Sequence, residues 1–139
     1  KFFAGSTNNV LDRYYKCAKK YKSNIIVRIT GDCPLIDAKL VDDAITRFKK
    51  SKVDILTNNN PPTYPDGLDV SVFNFKSLFL AWKNAKTNFD KEHVVPFMLK
   101  NNEFKKTNLK HSKDFSRERW TLDEKEGFFW LPIQLKALS

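Results

Sequence analysis

Hydrophobic positions along the chain switch between helical and strand-like spacing, and the alternation predicts a series of helices and strands. Val10, Leu11, Tyr14, Tyr15, Ala18 and Tyr21 recur at three- and four-residue steps, so residues 8–22 are predicted as an amphipathic helix. Residues 25–30 (IIVRIT) form a short β-branched run between Asn24 and Gly31, which reads as a buried strand. Asp37 can cap a second helix whose apolar stripe is Leu40, Val41, Ala44, Ile45 and Phe48. Residues 53–57 (VDILT) are the next strand. Each strand–helix–strand step is long enough for a crossover, so parallel pairing is expected.

The pattern then breaks. Residues 58–66 (NNNPPTYPD) are too polar and too rich in Pro for a regular element. A loop of that length inside a compact domain is more often functional than idle. Residues 68–73 read as a strand, followed by a helix through Leu78, Phe79, Trp82 and Ala85. A further helix is predicted over residues 91–101, bent or interrupted at Pro96. Residues 104–109 and 119–122 are candidate strands. No internal repeat or linker divides the chain, so the expected architecture is one α/β layered domain.

Composition narrows the class. A chain of 139 residues with 41% hydrophobic and 14% aromatic residues has the material for a core, which excludes a disordered chain. No run approaches the roughly 18 apolar residues of a membrane span, and no secretory leader is visible. The formal charge is +9, but the basic residues are 20 Lys and only five Arg, spread along the chain. Phosphate-reading surfaces favour Arg, whose planar fork binds oxyanions bidentately, and no nucleic-acid motif is present. The charge is therefore read as solvated Lys-rich surface, with no nucleic-acid partner expected. Cys17 and Cys33 lie in no CxxC pattern, which fits a reduced, cytoplasmic protein better than a disulfide or zinc scaffold.

Candidate chemistry gathers at the strand ends, where open α/β sheets bind ligands. In Arg28-Ile-Thr-Gly-Asp-Cys-Pro-Leu-Ile-Asp37, Asp32 falls just past such an end, placed either to hold a divalent cation or simply to make a turn. Tyr64, Asp66 and Asp69 sit on the long loop, either as a ligand-facing edge or as an Asp-Gly turn leading into a strand. Glu92 and His93 begin a helix, where a His more often caps or packs than acts as a base. Arg119-Trp-Thr-Leu-Asp123 ends another candidate strand in a carboxylate, and Asp32 and Asp123 could share one Mg²⁺ that bridges substrate oxygens.

These stretches together resemble the cytidylyltransferase family that includes spore-coat polysaccharide proteins of the SpsF type and relatives of acylneuraminate cytidylyltransferase. The similarity runs through Gly5-Ser6, Asn9-Val-Leu-Asp-Arg13, the RITGDCPLID run, Tyr64-Pro-Asp-Gly-Leu-Asp-Val70, Glu92-His-Val94 and Arg119-Trp-Thr-Leu-Asp123. The resemblance implies a three-layer α/β/α sandwich with a mostly parallel sheet, of the nucleotide-diphospho-sugar-transferase type. It implies transfer of CMP from CTP to an acidic sugar with release of pyrophosphate, in surface polysaccharide synthesis. Asp32 and Asp123 would be the catalytic pair and hold Mg²⁺. Gly5, Ser6, Asn9 and Arg13 would lie near the nucleotide, and Arg28, Tyr64, Asp66, Asp69, Glu92 and His93 near the substrate. Such relatives are often dimeric, so a homodimer is the assembly the resemblance implies.

The chain also departs from the family pattern. No segment matches the basic LxARxxSxRLPGK-like triphosphate loop, Ala4 stands where relatives often carry Arg, and Ser71 where many carry an acid. After Asp123, Glu124-Lys-Glu-Gly-Phe-Phe-Trp-Leu-Pro replaces the usual DTPEDF-like helix. On this comparison residues 1–139 are expected to be a single incomplete domain lacking the first strand and triphosphate loop. Inactivity alone and an aggregation-prone open sheet edge are then expected. The competing expectation is a non-catalytic domain of the same fold that binds a sugar nucleotide or a partner protein.

Overall fold

The computed structural model describes residues 2–122. The first helix, α1 (Val10–Lys20), starts where the Asn9 side chain accepts the backbone N–H of Asp12, and it ends in a lysine-containing turn. The Asn cap satisfies an N–H that no helical carbonyl reaches, and the lysines complement the negative end of the helix dipole. Next come β1 (Ile25–Arg28) and α2 (Ala38–Lys50), the latter capped by Asp37, which accepts the Lys39 N–H at 2.8 Å. The chain continues through β2 (Ile55–Thr57), β3 (Ser71–Asn74) and α3 (Phe75–Asn84). Two short helices, α4 (Asn88–His93) and α5 (Pro96–Lys100), lead to β4 (Lys106–Asn108).

The strands form one mixed sheet in the order β1-β3-β2-β4. β3 is antiparallel to both β1 and β2, and β4 is parallel to β2. Three of the four strands thus run the same way, as the helical crossover from β1 to β2 predicts, yet β1 and β2 are not neighbours. The cause is the connection after β2. Residues 58–70 contain no helix to carry the chain over the sheet, so it turns back and β3 enters antiparallel between the two.

Alternation along β1, β3 and β2 divides the core into two. Ile26, Phe73 and Ile55 lie in register across the sheet and pack with Leu11, Leu78 and Met98 from α1, α3 and α5. Their chain neighbours Val27, Val72 and Leu56 point to the other face and pack with Leu40, Ala44 and Phe48 of α2. Helices on both faces make the three layers. Around the first core, Tyr15 stacks on Phe75 at 5.8 Å and on Trp82 at 4.1 Å.

Three elements differ from their sequence pattern, each for a local reason. β3 begins at Ser71 rather than Leu68 because the buried Asn58 side chain acts in place of a neighbouring strand. It donates to the Leu68 carbonyl at 2.8 Å and accepts the Val70 N–H at 2.9 Å. The helix expected over residues 91–101 is two helices. Val94 (φ 70°, ψ −56°) forms a γ-turn closed by the Val95 N–H to the His93 carbonyl at 2.8 Å, and Pro96 opens α5. A β-branched residue occupies that turn only under strain, whereas Pro at a helix start gives up no bond. Residues 119–122 make no strand, only an isolated bridge between Arg119 and Asp66. Ser71 itself is buried and its hydroxyl lies 3.1 Å from that of Thr57, so a charge here would lose water without gaining a counter-ion. The segment expected to replace the DTPEDF-like helix lies outside the described residues. Among the described residues no helix is long and apolar enough to cross a membrane.

Phe73 is fully buried at the centre of the sheet, between Ile26 and Ile55. Phe73→Ala should therefore cost about 3–5 kcal/mol in denaturant unfolding, and a loss under about 1 kcal/mol would contradict this placement.

Candidate functional site

The site is assembled from backbone turns before any side chain acts. Past the end of β1, the Cys33 N–H reaches the Thr30 carbonyl and the Ile36 N–H the Cys33 carbonyl, both at 3.3 Å, so the segment coils around Asp32. Cys33 is buried beneath this coil, its Sγ 3.0 Å from Thr30 Oγ1 and 3.6 Å from Asp32 Oδ1. Burial pushes its thiol up, which suits a packing residue rather than a nucleophile.

A second strand of chain fastens this coil to the long loop. The Leu122 N–H donates to the Asp32 carbonyl at 3.0 Å. Two residues earlier the Trp120 N–H donates to the Asp66 carbonyl at 2.6 Å, and the Asp66 N–H returns to Glu118 at 2.9 Å. Such an approach requires Gly67. It adopts φ +110°, and a Cβ there would stand 2.7 Å from the Trp120 carbonyl carbon. Arg119 Nη1 closes the contact on Asp66 Oδ2 at 2.7 Å, an exposed pair worth about 0–1 kcal/mol that mainly sets direction.

Asp69 is held differently. Asn59 Nδ2 donates to its Oδ2 at 3.1 Å, Thr57 Oγ1 donates to Asn59 Oδ1 at 2.7 Å, and Ser71 Oγ lies 3.1 Å from Thr57 Oγ1. Burial pushes the Asp69 carboxyl above the usual range and the Asp66 and Asp32 charges add to this, whereas the Asn59 bond and Arg28 oppose it.

These turns enclose a cavity of about 320 Å³ beyond the end of β1, whose walls include Arg28, Asp32, Asp66, Asp69 and His93. Five residues singled out from sequence thus meet in one place. Tyr64 lies next door, in a cavity of about 250 Å³ that shares Asn59, Asp66 and Asp69 with the first. Its ring meets His111 edge-on at 5.2 Å, and burial pushes its hydroxyl up. Glu92 is exposed and lines neither cavity. Gly5, Ser6, Asn9 and Arg13 form a separate group at the start of α1. Ser6 Oγ accepts the Asn9 N–H at 3.0 Å, Arg13 Nη1 donates to the Ser6 carbonyl at 3.3 Å, and Gly5 packs on the Arg13 stem. Arg13 lines another cavity, of about 370 Å³, with Tyr14, Cys17 and β1. Asp123 lies outside the described residues.

Sequence reasoning passed over Thr57, Asn58 and Asn59. The available signal was three consecutive Asn directly after a buried strand, more amide groups than one turn uses. Cys33 and Val94 stood within the motifs, but spacing carries no signal for the packing of the one or the γ-turn of the other.

Among the described residues no three His, Cys, Asp or Glu side chains form a ready cation cage. The Asp32 carboxylate has, among the described residues, only the long Cys33 contact, and Asp32 lines the cavity. It fits the kind of Mg²⁺ site that takes one or two carboxylates and completes itself with substrate phosphates.

In this mixed α/β/α sheet, carboxylates and an arginine converge beyond a strand end, the place where open α/β sheets bind ligands. The sequence profile of the Cytidylyltransferase family matches residues 1–125, and the chain belongs to that family. It is 40% identical over 136 residues to "Uncharacterized protein MJ1063" of Methanocaldococcus jannaschii, covering 95% of this chain and 55% of that protein. A stretch of 42 residues, 30% of this chain and 18% of the other, is 43% identical to the spore coat polysaccharide biosynthesis protein SpsF of Bacillus subtilis. The solved structure of a cytidylyltransferase from Leptospira borgpetersenii superposes with a TM-score of 0.87 at 36% identity, over 91% of this chain and 54% of that one. The chain thus spans about half the length of the archaeal protein and of the solved structure.

The raised Asp69 carboxyl makes a signed prediction. Folding favours its protonated form, so this contribution is intact below the unfolded carboxylate range and is lost as pH rises through the folded value. Asp69→Asn, which keeps an oxygen for Asn59, should raise Tm at about pH 7 and leave it unchanged near about pH 3. An equal or lower Tm at neutral pH would contradict it.

Proposed function

We propose that this chain carries the acceptor-side chemistry of a cytidylyltransferase that moves CMP from CTP to an acidic sugar of the nonulosonic type, for surface polysaccharide synthesis in the cytoplasm. The observation that carries the proposal is the convergence of Arg28, Asp32, Asp66, Asp69 and His93 on one cavity at a strand end. The two free cysteines support a reducing compartment.

In the proposed reaction a sugar hydroxyl attacks the α-phosphorus of CTP in line, the new O–P bond forms as the bond to pyrophosphate breaks, and the hydroxyl proton passes to a carboxylate. Asp69 suits that last task, because Asn59 fixes one of its oxygens and burial makes it a stronger proton acceptor than an exposed Asp. Asp66, steered by Arg119, borders both cavities and in this reading would receive acceptor hydroxyls. Asp32 would hold Mg²⁺, which when bound offsets the negative charge of the phosphate oxygens.

Calorimetry with CTP tests this reading. Binding should require Mg²⁺, and Asp32→Asn should weaken Mg²⁺-dependent binding by about tenfold or more while leaving Tm nearly unchanged, since among the described residues the Asp32 carboxylate makes only one weak contact. Equally tight CTP binding with the metal chelated would contradict it, and would favour a non-catalytic nucleotide-binding domain.

A further inference from the structure

Arg28 is the last residue of β1 and stands half-buried in the wall of the cavity. Unlike Asp66 and Asp69 there, it is uncommitted. Asp66 is paired with Arg119 and Asp69 is held by Asn59, but among the described residues the Arg28 guanidinium makes no hydrogen bond and no ion pair within 4.0 Å. Yet carboxylates share its cavity wall, and Arg28 acts electrostatically on one of them, Asp69. A guanidinium that close to a mobile carboxylate would ordinarily fold onto it, since bidentate Arg–carboxylate pairs are among the stronger polar contacts. Asp69 is not mobile. The Ser71–Thr57–Asn59 series holds its Oδ2, and Ser71 is the residue opposite Arg28 in the β1–β3 register. The same pairing therefore sets Arg28 beside the series that holds Asp69.

From this we infer that Arg28 is the oxyanion-reading residue of the cavity, kept open by the Asn59 restraint on Asp69, and that it takes a phosphate or carboxylate group of the ligand bidentately. The inference rests on the cytidylyltransferase reading for its choice of ligands, but its chemistry does not depend on turnover. Two sources of the oxyanion are available, the nucleotide phosphate and the acceptor carboxylate.

The experiment is calorimetry on the whole chain with CMP, inorganic pyrophosphate, N-acetylneuraminate and the uncharged nucleoside cytidine, for wild type, Arg28→Gln, Arg28→Lys and Asn59→Ala. Arg28→Gln should weaken at least one of the anionic probes about tenfold or more and leave cytidine unaffected. Arg28→Lys should recover little of the loss, because it restores the charge without the planar fork. Asn59→Ala should also weaken that probe, by releasing Asp69 onto Arg28. Loss confined to CMP and pyrophosphate assigns Arg28 to the phosphates, and loss confined to N-acetylneuraminate assigns it to the acceptor. Matched Tm values exclude misfolding, and if Arg28→Gln unfolds the chain, the Arg28→Lys and Asn59→Ala arms decide. Unchanged affinities in the folded variants, full recovery with Lys, or a wild type that binds no anionic probe would overturn the inference. Failure of Mg²⁺-dependent CTP binding with retained, Arg28-dependent binding of another anion would sink the cytidylyltransferase reading alone.

Discussion

Gly67 lies against the main chain of Trp120 with no room for a side chain between them. This one approach joins parts of the chain that are far apart in sequence. It sets Asp66 beside Arg119 and brings residues 120–122 across the loop, where the Leu122 N–H reaches the carbonyl of Asp32. Without it the Asp32 coil and the long loop would no longer be tied to each other through residues 120–122, although Thr63 of the loop would still accept the His111 and Phe115 N–H groups. The two best-marked motifs, RITGDCPLID and YPDGLDV, share a site because a third, RWTL, is laced through both.

The rest of the site depends on restraint more than on charge. Several carboxylates and one arginine share a small space, and left mobile they would pair off and cancel. Instead Asp69 is held by an amide and Asp66 by an arginine outside the cavity wall, while among the described residues the Asp32 carboxylate has only a long contact with Cys33. Asn58 supports the arrangement from beneath by holding both backbone groups that flank Asp69. Bonds of this kind contribute only about 1 kcal/mol each to stability. Their larger consequence is a pocket whose polar groups keep unused hydrogen-bonding capacity for a ligand.

Much of the fold was legible in the residues. The stripes of α1 and α2, the cap Asp37, and the short β-branched strands appear where the residue pattern puts them, whereas Asn9 caps α1 from within the range expected to be helical. What periodicity could not reveal was the order of strands, because a helix-free return such as residues 58–70 changes direction without changing period. The start of β3 was misplaced for a related reason: Leu68 and Val70 are buried like strand residues, but their backbone partners are a side chain, Asn58. The strand expected at residues 119–122 failed because its bonds go to two loops rather than to a ladder. In the site, charged residues announced themselves, whereas the neutral residues that aim them, Thr57 and Asn59, did not. Glu92 shows the converse, a residue marked by motif that faces solvent away from the cavity.

The joining role of Gly67 is tested most directly by amide hydrogen exchange in Gly67→Ala. A Cβ at φ +110° against the Trp120 backbone must push the two segments apart. The Trp120 and Leu122 amides, bonded to Asp66 and Asp32, should then exchange about tenfold faster or more, while Phe73 and Ile55 in the sheet retain their protection. Unchanged protection at Trp120 and Leu122 in a folded Gly67→Ala protein would contradict the account.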